Sequence, residues 1–269
     1  MSTVTSTDGT TIAFDELGHG PPVVLVGGAF QHRALDERTS RLADLLATRF
    51  TVIHYDRRGR GESGDAPRYA VEREVEDLDA IIGRLGAAQV FGHSSGATLA
   101  LDAVAAGLPI TQLAVYEPPF AVDDSRPPQP PGYVQHLRDL IAADRRGDAV
   151  QYFLAFGVNL PAEVIAQMRT APMWPGFEAV AHTLPYDAAV VDGTVNGQPL
   201  PEGRWSSVKI PVLVLDGDAS PTWMRNGAEA LGHLLADPRR ITLPGQDHSV
   251  APDALAPALF DFFGEHDGY

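Results

Sequence analysis

The sequence of 269 residues contains no cysteine. Disulfide bonds, thiolate metal sites and a cysteine nucleophile are therefore excluded. Lysine is nearly absent too, since Lys209 is the only one among 20 basic residues, and the formal net charge is −15. Because binding to phosphates needs a basic face, this charge argues against nucleic acid as a partner.

Long apolar runs are also missing from the sequence. No segment approaches the length of a membrane span, and Met1–Thr5 lacks the basic and apolar character of a signal peptide. We therefore expect a cytoplasmic protein that does not associate with membranes. The content of 44% apolar and 20% charged residues is typical of a globular protein. A length of 269 residues fits one large domain, or one domain carrying an insertion. No feature of the sequence indicates an oligomeric state.

Strand-like and helix-like segments alternate along most of the chain. Asp8-Gly9 lies between two short β-compatible runs and predicts a hairpin. After it, apolar runs predict buried strands, and segments of helical periodicity separate them. The predicted strands are 22–26, 50–55, 87–91, 112–116, 212–215 and 240–243, and the predicted helices are 35–47, 71–85, 97–106, 222–235 and 254–263. This order predicts an α/β fold with a mostly parallel central sheet and helices on both faces.

Residues 121–205 interrupt the alternation, because they separate two strands by far more than a crossover helix needs. The segment is rich in proline and aromatic residues. We expect an inserted lid of short helices over one edge of a core formed by residues 1–120 and 206–269. Most of its aromatic side chains would form the lid's own core. A minority would line an apolar pocket, which predicts a small-molecule substrate with an apolar part.

The segment Gly92-His93-Ser94-Ser95-Gly96 lies between a predicted strand and a nearly all-apolar helix. A Gly-x-Ser-x-Gly sequence in this context forms a tight turn that exposes the middle serine. The glycines let the strand and the helix approach each other, and the helix N-terminus supplies free N–H groups for a developing oxyanion. The pattern predicts that Ser94 is a catalytic nucleophile.

The run from Val23 to Val26 continues into Gly27-Gly28-Ala29, and this arrangement resembles the α/β-hydrolase fold family. In that family the loop usually reads His-Gly, and the next residue donates an oxyanion-hole N–H. Here Gly27 stands where the histidine is usual, which puts the usual anchoring of the loop in question. The resemblance implies that the N–H groups of Ala29 and Ser95 form the oxyanion hole.

A second stretch, from Asp56 to Ser63, looks like the family's Asp-x-Arg-Gly-x-Gly-x-Ser signature. We interpret it as structural support and expect Asp56 to pair with Arg58 beneath the site. The resemblance covers nearly the whole chain outside residues 121–205. It implies a serine-nucleophile member of the superfamily, similar to esterases and lipases, with a lid insertion.

The base implied by the resemblance is His248, which follows the last predicted strand. His93 is the rival because it adjoins Ser94. The residue before such a serine points away from the serine hydroxyl, so we assign His93 a packing role.

The position of the acid is open to several residues, because the family's usual Gly-x-x-Asp turn reads Gly217-Asp218-Ala219-Ser220 here. Some family members carry the acid at the end of an earlier strand, where this chain has Glu117. We favour Glu117, with Asp218 as the alternative and Asp216 or water-mediated support as further possibilities. Each choice keeps the order serine, acid, histidine.

The favoured function is a serine hydrolase that cleaves a small carboxylic ester or lactone through an acyl-enzyme, without a cofactor. A thioesterase or a C–C bond hydrolase would use the same triad. A non-catalytic small-molecule binding protein on the hydrolase scaffold is the alternative from another class, because fold alone does not fix function. A metal-dependent hydrolase has little support, since no metal-ligand spacing accompanies Asp247-His248.

Overall fold

The computed structural model describes residues 1–265 and contains one central sheet of eight strands. The strand order is β1-β2-β4-β3-β5-β6-β7-β8. The strands β3 to β8 run parallel to one another, and β2 is antiparallel to both β1 and β4. The strands are β1 (Ser2–Thr5), β2 (Thr11–Leu17), β3 (Pro22–Val26), β4 (Thr51–Tyr55), β5 (Ala88–His93), β6 (Ile110–Tyr116), β7 (Val212–Gly217) and β8 (Arg239–Leu243). The predicted parallel sheet with an N-terminal hairpin is confirmed.

The core helices follow the strands as predicted, with small shifts at their ends. They are α1 (Glu37–Leu46), α2 (Val71–Gly83), α3 (Ser95–Ala105), α9 (Thr222–Leu234) and α10 (Pro252–Gly264). Helix α1 begins two residues later than predicted because the Asp36 side chain accepts hydrogen bonds from the N–H groups of Arg38 and Thr39. That is the geometry of an N-cap, which fixes the first residue of a helix. No helix within residues 1–265 is long and apolar enough to cross a bilayer.

Helices cover both faces of the sheet, and side chains that alternate along each parallel strand bury the two faces. Val24 and Val26 pack with α2, α3 and α9, whereas Val23 and Leu25 pack with α1 and α10. Strands buried on both faces read as continuous apolar runs, which is why the sequence indicated them.

The chain between β6 and β7 forms five further α-helices. They are α4 (Tyr133–Ala142), α5 (Arg146–Tyr152), α6 (Ala162–Arg169), α7 (Trp174–Ala179) and α8 (Leu184–Val190), with a π-helical turn at Phe153–Gly157 and a 3₁₀ turn at Ala181–Thr183. Most of its buried apolar side chains form a separate cluster that includes Leu137, Val150 and Trp174. These helices therefore have a core of their own beside the two cores of the sheet.

Candidate active site

Two neighbouring parallel strands, β5 and β6, end at polar residues with unusual backbone conformations. Ser94 follows β5 with φ of 56°, and Glu117 follows β6 with φ of 43°. Positive φ is uncommon outside glycine and is found where the surrounding structure holds a functional side chain in place. The ends of β5 and β6 therefore mark a candidate functional site.

The Ser94 turn has no room for larger residues at its two glycines. A Cβ atom at Gly92 would lie 2.6 Å from the Ala97 Cα atom, and one at Gly96 would lie 2.3 Å from the Val26 carbonyl oxygen. Real Cβ atoms do not approach other atoms this closely, so the strand, the turn and α3 can pack only with glycine at both positions. This is the tight strand–turn–helix arrangement that the sequence predicted around Ser94.

Glu117 is the carboxylate that contacts His248. Its Oε2 atom lies 2.9 Å from His248 Nδ1, and its Oε1 atom accepts a hydrogen bond of 2.8 Å from the Gly217 N–H. The side chain is fully buried. Burial opposes its ionisation, but the hydrogen bond and charge of His248, together with Ser220 and the Gly217 N–H, outweigh burial and lower the pKa of Glu117. Glu117 is therefore a carboxylate anion at neutral pH.

The alternative acids have other partners. Asp218 is exposed, and its Oδ1 atom accepts a hydrogen bond of 2.6 Å from the Gly245 N–H. Asp216 accepts one of 3.0 Å from the Thr242 hydroxyl and lies 3.6 Å from the Arg240 guanidinium. Both side chains tie β7 to the chain around β8. The structure thus brings Glu117 to His248, and it leaves Asp218 and Asp216 in structural contacts.

The loop that carries His248 is held through its backbone by two side chains from the strand ends. His93 Nε2 lies 2.9 Å from the His248 carbonyl oxygen, and the Tyr116 hydroxyl donates a hydrogen bond of 2.7 Å to the Asp247 carbonyl oxygen. A carbonyl oxygen only accepts, so Nε2 of His93 carries a proton. The packing role predicted for His93 omitted this hydrogen bond, because sequence spacing does not reveal contacts with a loop 155 residues away.

The environment of His93 predicts how stability depends on pH. Burial, followed by the nearby charge of His248, lowers the pKa of His93 to about 4 from 6.5. Between these values the unfolded chain binds more protons at His93 than the folded chain, so stability falls as pH decreases through this window. Urea unfolding from pH 6.5 to pH 4 should show that His93→Gln loses less stability than the wild type, by on the order of 2 kcal/mol.

The matched control for this measurement is His233→Gln. The His233 side chain is 79% exposed, so this variant should keep the wild-type dependence on pH. If the free energy of unfolding fell equally with pH in the wild type and in His93→Gln, then His93 would not be the cause of the loss of stability in acid.

Ser95 follows Ser94 directly, and the residue before Ala29 lies close to Ser94, since a Cβ atom at Gly28 would lie 2.8 Å from the Ser94 Cβ atom. The Gly28 carbonyl accepts a hydrogen bond from Arg60, and the Ser94 carbonyl accepts one from the Ala97 N–H. In a trans peptide the N–H points opposite to the carbonyl, so the N–H groups of Ala29 and Ser95 are directed away from these partners. Within residues 1–265, neither N–H donates a hydrogen bond to a protein group. Ala29 and Ser95 also line the same cavity as Ser94.

Two arginines fix the loop in which Gly27 replaces the usual histidine. Arg57 donates to the Gly27 carbonyl at 3.3 Å, and Arg60 donates to the Gly28 carbonyl. Both also bind Asp187 of α8, at 2.8 Å and 2.6 Å, and all three side chains are buried. Because Asp187 comes from the chain between β6 and β7, this ion-pair network connects that segment to the loop beside Ser94. The sequence does not reveal this network, and the only signal of it there is the cluster of arginines after β4.

The predicted pairing of Asp56 with Arg58 is wrong. Asp56 binds the Arg33 guanidinium at 3.0 Å, whereas Arg58 binds Asp77 of α2 at 2.7 Å and Asp8 at 3.0 Å. The Asp56 carboxylate also accepts hydrogen bonds from the backbone N–H groups of Arg33 and Glu62, so its oxygen atoms are occupied by groups other than Arg58. All three ion pairs are structural, since they join the chain that follows β4 to other parts of the core.

Ser94 and His248 open onto one cavity of about 830 Å³. Its walls come from the strand ends and from the helices between β6 and β7, and they are mainly apolar. The apolar lining includes Phe30, Leu35, Phe153, Leu154, Val158, Met168, Met173, Phe177, Val191, Trp223 and Met224. Within residues 1–265, no group of three or more histidine and acidic side chains is arranged to hold a metal ion. The arrangement can hold a mostly apolar small molecule against a serine, an imidazole and two free N–H groups.

Several known proteins are similar to this chain. An alpha/beta hydrolase from Sphaerobacter thermophilus DSM 20745, solved as a crystal structure, is 59% identical and superposes with a TM-score of 0.90 over 97% of this chain and 100% of that chain. A non-heme haloperoxidase from Rhodococcus erythropolis is 25% identical over 93% of each chain. The uncharacterized hydrolase YraK from Bacillus subtilis (strain 168) is 34% identical, and that match spans 35% of each chain.

The model of the alpha/beta hydrolase family matches residues 23–258, which run from the second residue of β3 past β8 and include Ser94, Glu117 and His248. A match of this length, together with the sheet order and the turn at Ser94, identifies the family. The chain belongs to the alpha/beta hydrolase family.

Proposed function

We propose that this hydrolase cleaves a small carboxylic ester or lactone through an acyl-enzyme formed on Ser94. The observation that carries the proposal is the buried, ionised Glu117 bound to Nδ1 of His248, at a cavity that Ser94 also lines. This hydrogen bond places the proton on Nδ1, so Nε2 is left as the base.

In the proposed reaction, Nε2 of His248 takes the Ser94 proton as Oγ attacks the substrate carbonyl carbon. The N–H groups of Ala29 and Ser95 stabilise the oxyanion of the tetrahedral intermediate, and one such donor contributes about 3 kcal/mol of transition-state stabilisation. The imidazolium then returns the proton to the leaving alcohol oxygen. Water attacks the acyl-enzyme by the same route and releases the acid and free Ser94. Glu117 holds the imidazole tautomer and stabilises the imidazolium.

We further propose that the segment 121–205 acts as a lid that selects the substrate. Its helices supply much of the apolar wall of the cavity, which suits a substrate with an apolar part. The buried Asp187 ties this segment to the loop that carries Ala29, so the position of the lid and the geometry of the oxyanion hole depend on each other.

Reaction with a fluorophosphonate tests the proposal directly. We expect one covalent adduct per chain, located on Ser94 by peptide mapping, together with loss of turnover of p-nitrophenyl acetate. A fluorophosphonate becomes covalently attached only to an activated serine, so a non-catalytic binding protein should give no adduct. An adduct on another serine, or full turnover after labelling, would contradict the proposed role of Ser94.

A further inference from the structure

The cavity wall formed by the inserted helices carries an unpaired hydroxyl group. Tyr133, the first residue of α4, is 5% exposed and lines the cavity. Its neighbours along that wall, Phe153 and Leu154, are apolar. Among the residues that the structure describes, none forms a hydrogen bond with the Tyr133 hydroxyl. Buried phenol groups normally have a partner, so this hydroxyl is a buried donor without a partner, on a residue that lines a ligand-sized cavity.

The Tyr133 hydroxyl packs closely against the backbone at Gly157. A Cβ atom at Gly157 would come within 2.5 Å of the Tyr133 oxygen. Gly157 lines the same cavity, so the oxygen end of Tyr133 lies at the cavity wall. The absence of a side chain at position 157 gives the hydroxyl the space that it occupies.

A buried cation lies behind the same wall. Arg126 is 4% exposed, and it donates to the carbonyls of Phe156 and Gly157 at 2.6 Å and 3.1 Å. Its guanidinium lies 4.5 Å from the ring centre of Trp223, which lines the cavity. No carboxylate within residues 1–265 forms an ion pair with Arg126. Its charge is therefore not neutralised by an acidic partner, in contrast to the arginines that bind Asp187.

The Tyr133 hydroxyl is a neutral donor in this environment. Burial raises the pKa of Tyr133 well above 10, although the charge of Arg126 opposes the increase. An O–H donor in an apolar wall, with a cation behind it, favours an oxygen atom that carries partial or full negative charge.

We propose that the substrate carries a second oxygen acceptor, a ketone or a carboxylate, that accepts a hydrogen bond from Tyr133. The inference rests on the proposed function, since it places the reacting carbonyl at Ser94 and the second oxygen at the wall of α4. Simple alkyl esters leave this donor unpaired, so they are poorer substrates than esters of the same length that carry an additional ketone or carboxylate.

Four esters and Tyr133→Phe test the proposal. Propyl pentanoate is the reference, propyl levulinate has a ketone in the acyl half, acetonyl pentanoate has one in the alcohol half, and monopropyl glutarate has a carboxylate. We expect Tyr133→Phe to lower kcat/KM about 10-fold for at least one of the three esters that carry a ketone or carboxylate. Its kcat/KM for propyl pentanoate should change by less than about 2-fold. The ester that loses most identifies the acceptor and the half of the substrate that carries it. An equal change for all four esters, or no change for any, would overturn the proposal.

Tyr152→Phe is the matched control. The Tyr152 ring stacks on Tyr133 at 5.4 Å between ring centres, but Tyr152 does not line this cavity. Tyr152→Phe should change kcat/KM by the same factor for all four esters. A selective loss in this control, equal to that of Tyr133→Phe, would mean that packing of the two rings causes the effect, and the subsite would be rejected.

A binding measurement separates this inference from the proposed function. In Ser94→Ala, calorimetry with levulinic, glutaric and pentanoic acids reports on the cavity without any turnover. We expect levulinic or glutaric acid, each of which carries a second oxygen acceptor, to bind more tightly than pentanoic acid. Tyr133→Phe should remove this difference in affinity. Equal affinities with and without Tyr133→Phe would overturn the inference, even if Ser94 proves to be the nucleophile. Tighter binding of the oxygen-bearing acid would support the subsite, even if Ser94→Ala retains esterase activity.

Discussion

Ser94→Ala is expected to reduce kcat/KM toward p-nitrophenyl acetate by about a million-fold, the loss seen when the nucleophile of a serine enzyme is removed. Without Oγ there is no covalent intermediate, and the remaining rate depends on binding and on the N–H groups of Ala29 and Ser95 alone. The substitution removes one oxygen atom at the cavity wall, so the thermal unfolding midpoint should stay close to that of the wild type. Steady-state kinetics and thermal unfolding on the same preparation check both expectations.

Ser249→Ala is the control for this prediction. Ser249 lines the same cavity and is exposed, and it follows His248 directly in the chain. Its loss should change kcat/KM by only a small factor, because no proposed step uses its hydroxyl. Undiminished turnover in Ser94→Ala would end the serine-hydrolase proposal, whatever the Ser249 control does.

The local parts of this fold could be predicted because short stretches of sequence determine them. The run at Pro22–Val26 is apolar at consecutive positions, and the structure buries its alternate side chains on opposite faces of the sheet. Gly92 and Gly96 are likewise local requirements, since atoms of Ala97 and Val26 leave no room for a Cβ. The sheet, its helices and the Ser94 turn follow from such patterns.

Contacts between distant segments could not be read in the same way. Asp187 looks like an ordinary acidic residue in the sequence, but it binds both Arg57 and Arg60 across 130 and 127 residues. The partners of Arg58 were misassigned for a related reason, since proximity in sequence does not determine where a long side chain extends. Which carboxylate meets His248 is also a long-range question, and sequence reasoning left Glu117 and Asp218 as alternatives.

Glu117→Gln should reduce kcat/KM by about 10⁴-fold, with little change in KM, because the corresponding acid-to-amide change in a serine protease has an effect of this size. The amide has nearly the same shape, but it carries no charge to stabilise the imidazolium of His248. It can also turn its NH₂ group toward Nδ1, which would move the imidazole proton to Nε2 and leave no base at Ser94. Steady-state kinetics with p-nitrophenyl acetate provides the measurement.

Asp218→Asn distinguishes the two candidate acids. Like Glu117→Gln, it changes a carboxylate to an amide near the same loop, and it weakens the contact with the Gly245 N–H. We expect Asp218→Asn to keep kcat/KM within a few-fold of the wild type, because its side chain does not contact His248. If Asp218→Asn alone abolished activity while Glu117→Gln retained it, the acid would be Asp218.

Because Glu117 is buried with its pKa lowered, it stabilises the folded protein above its unfolded pKa, and this contribution is lost as pH falls through the folded pKa. Glu117→Gln should therefore lower the free energy of unfolding at neutral pH and flatten its decline in acid, whereas exposed Asp218 has no buried charge to lose.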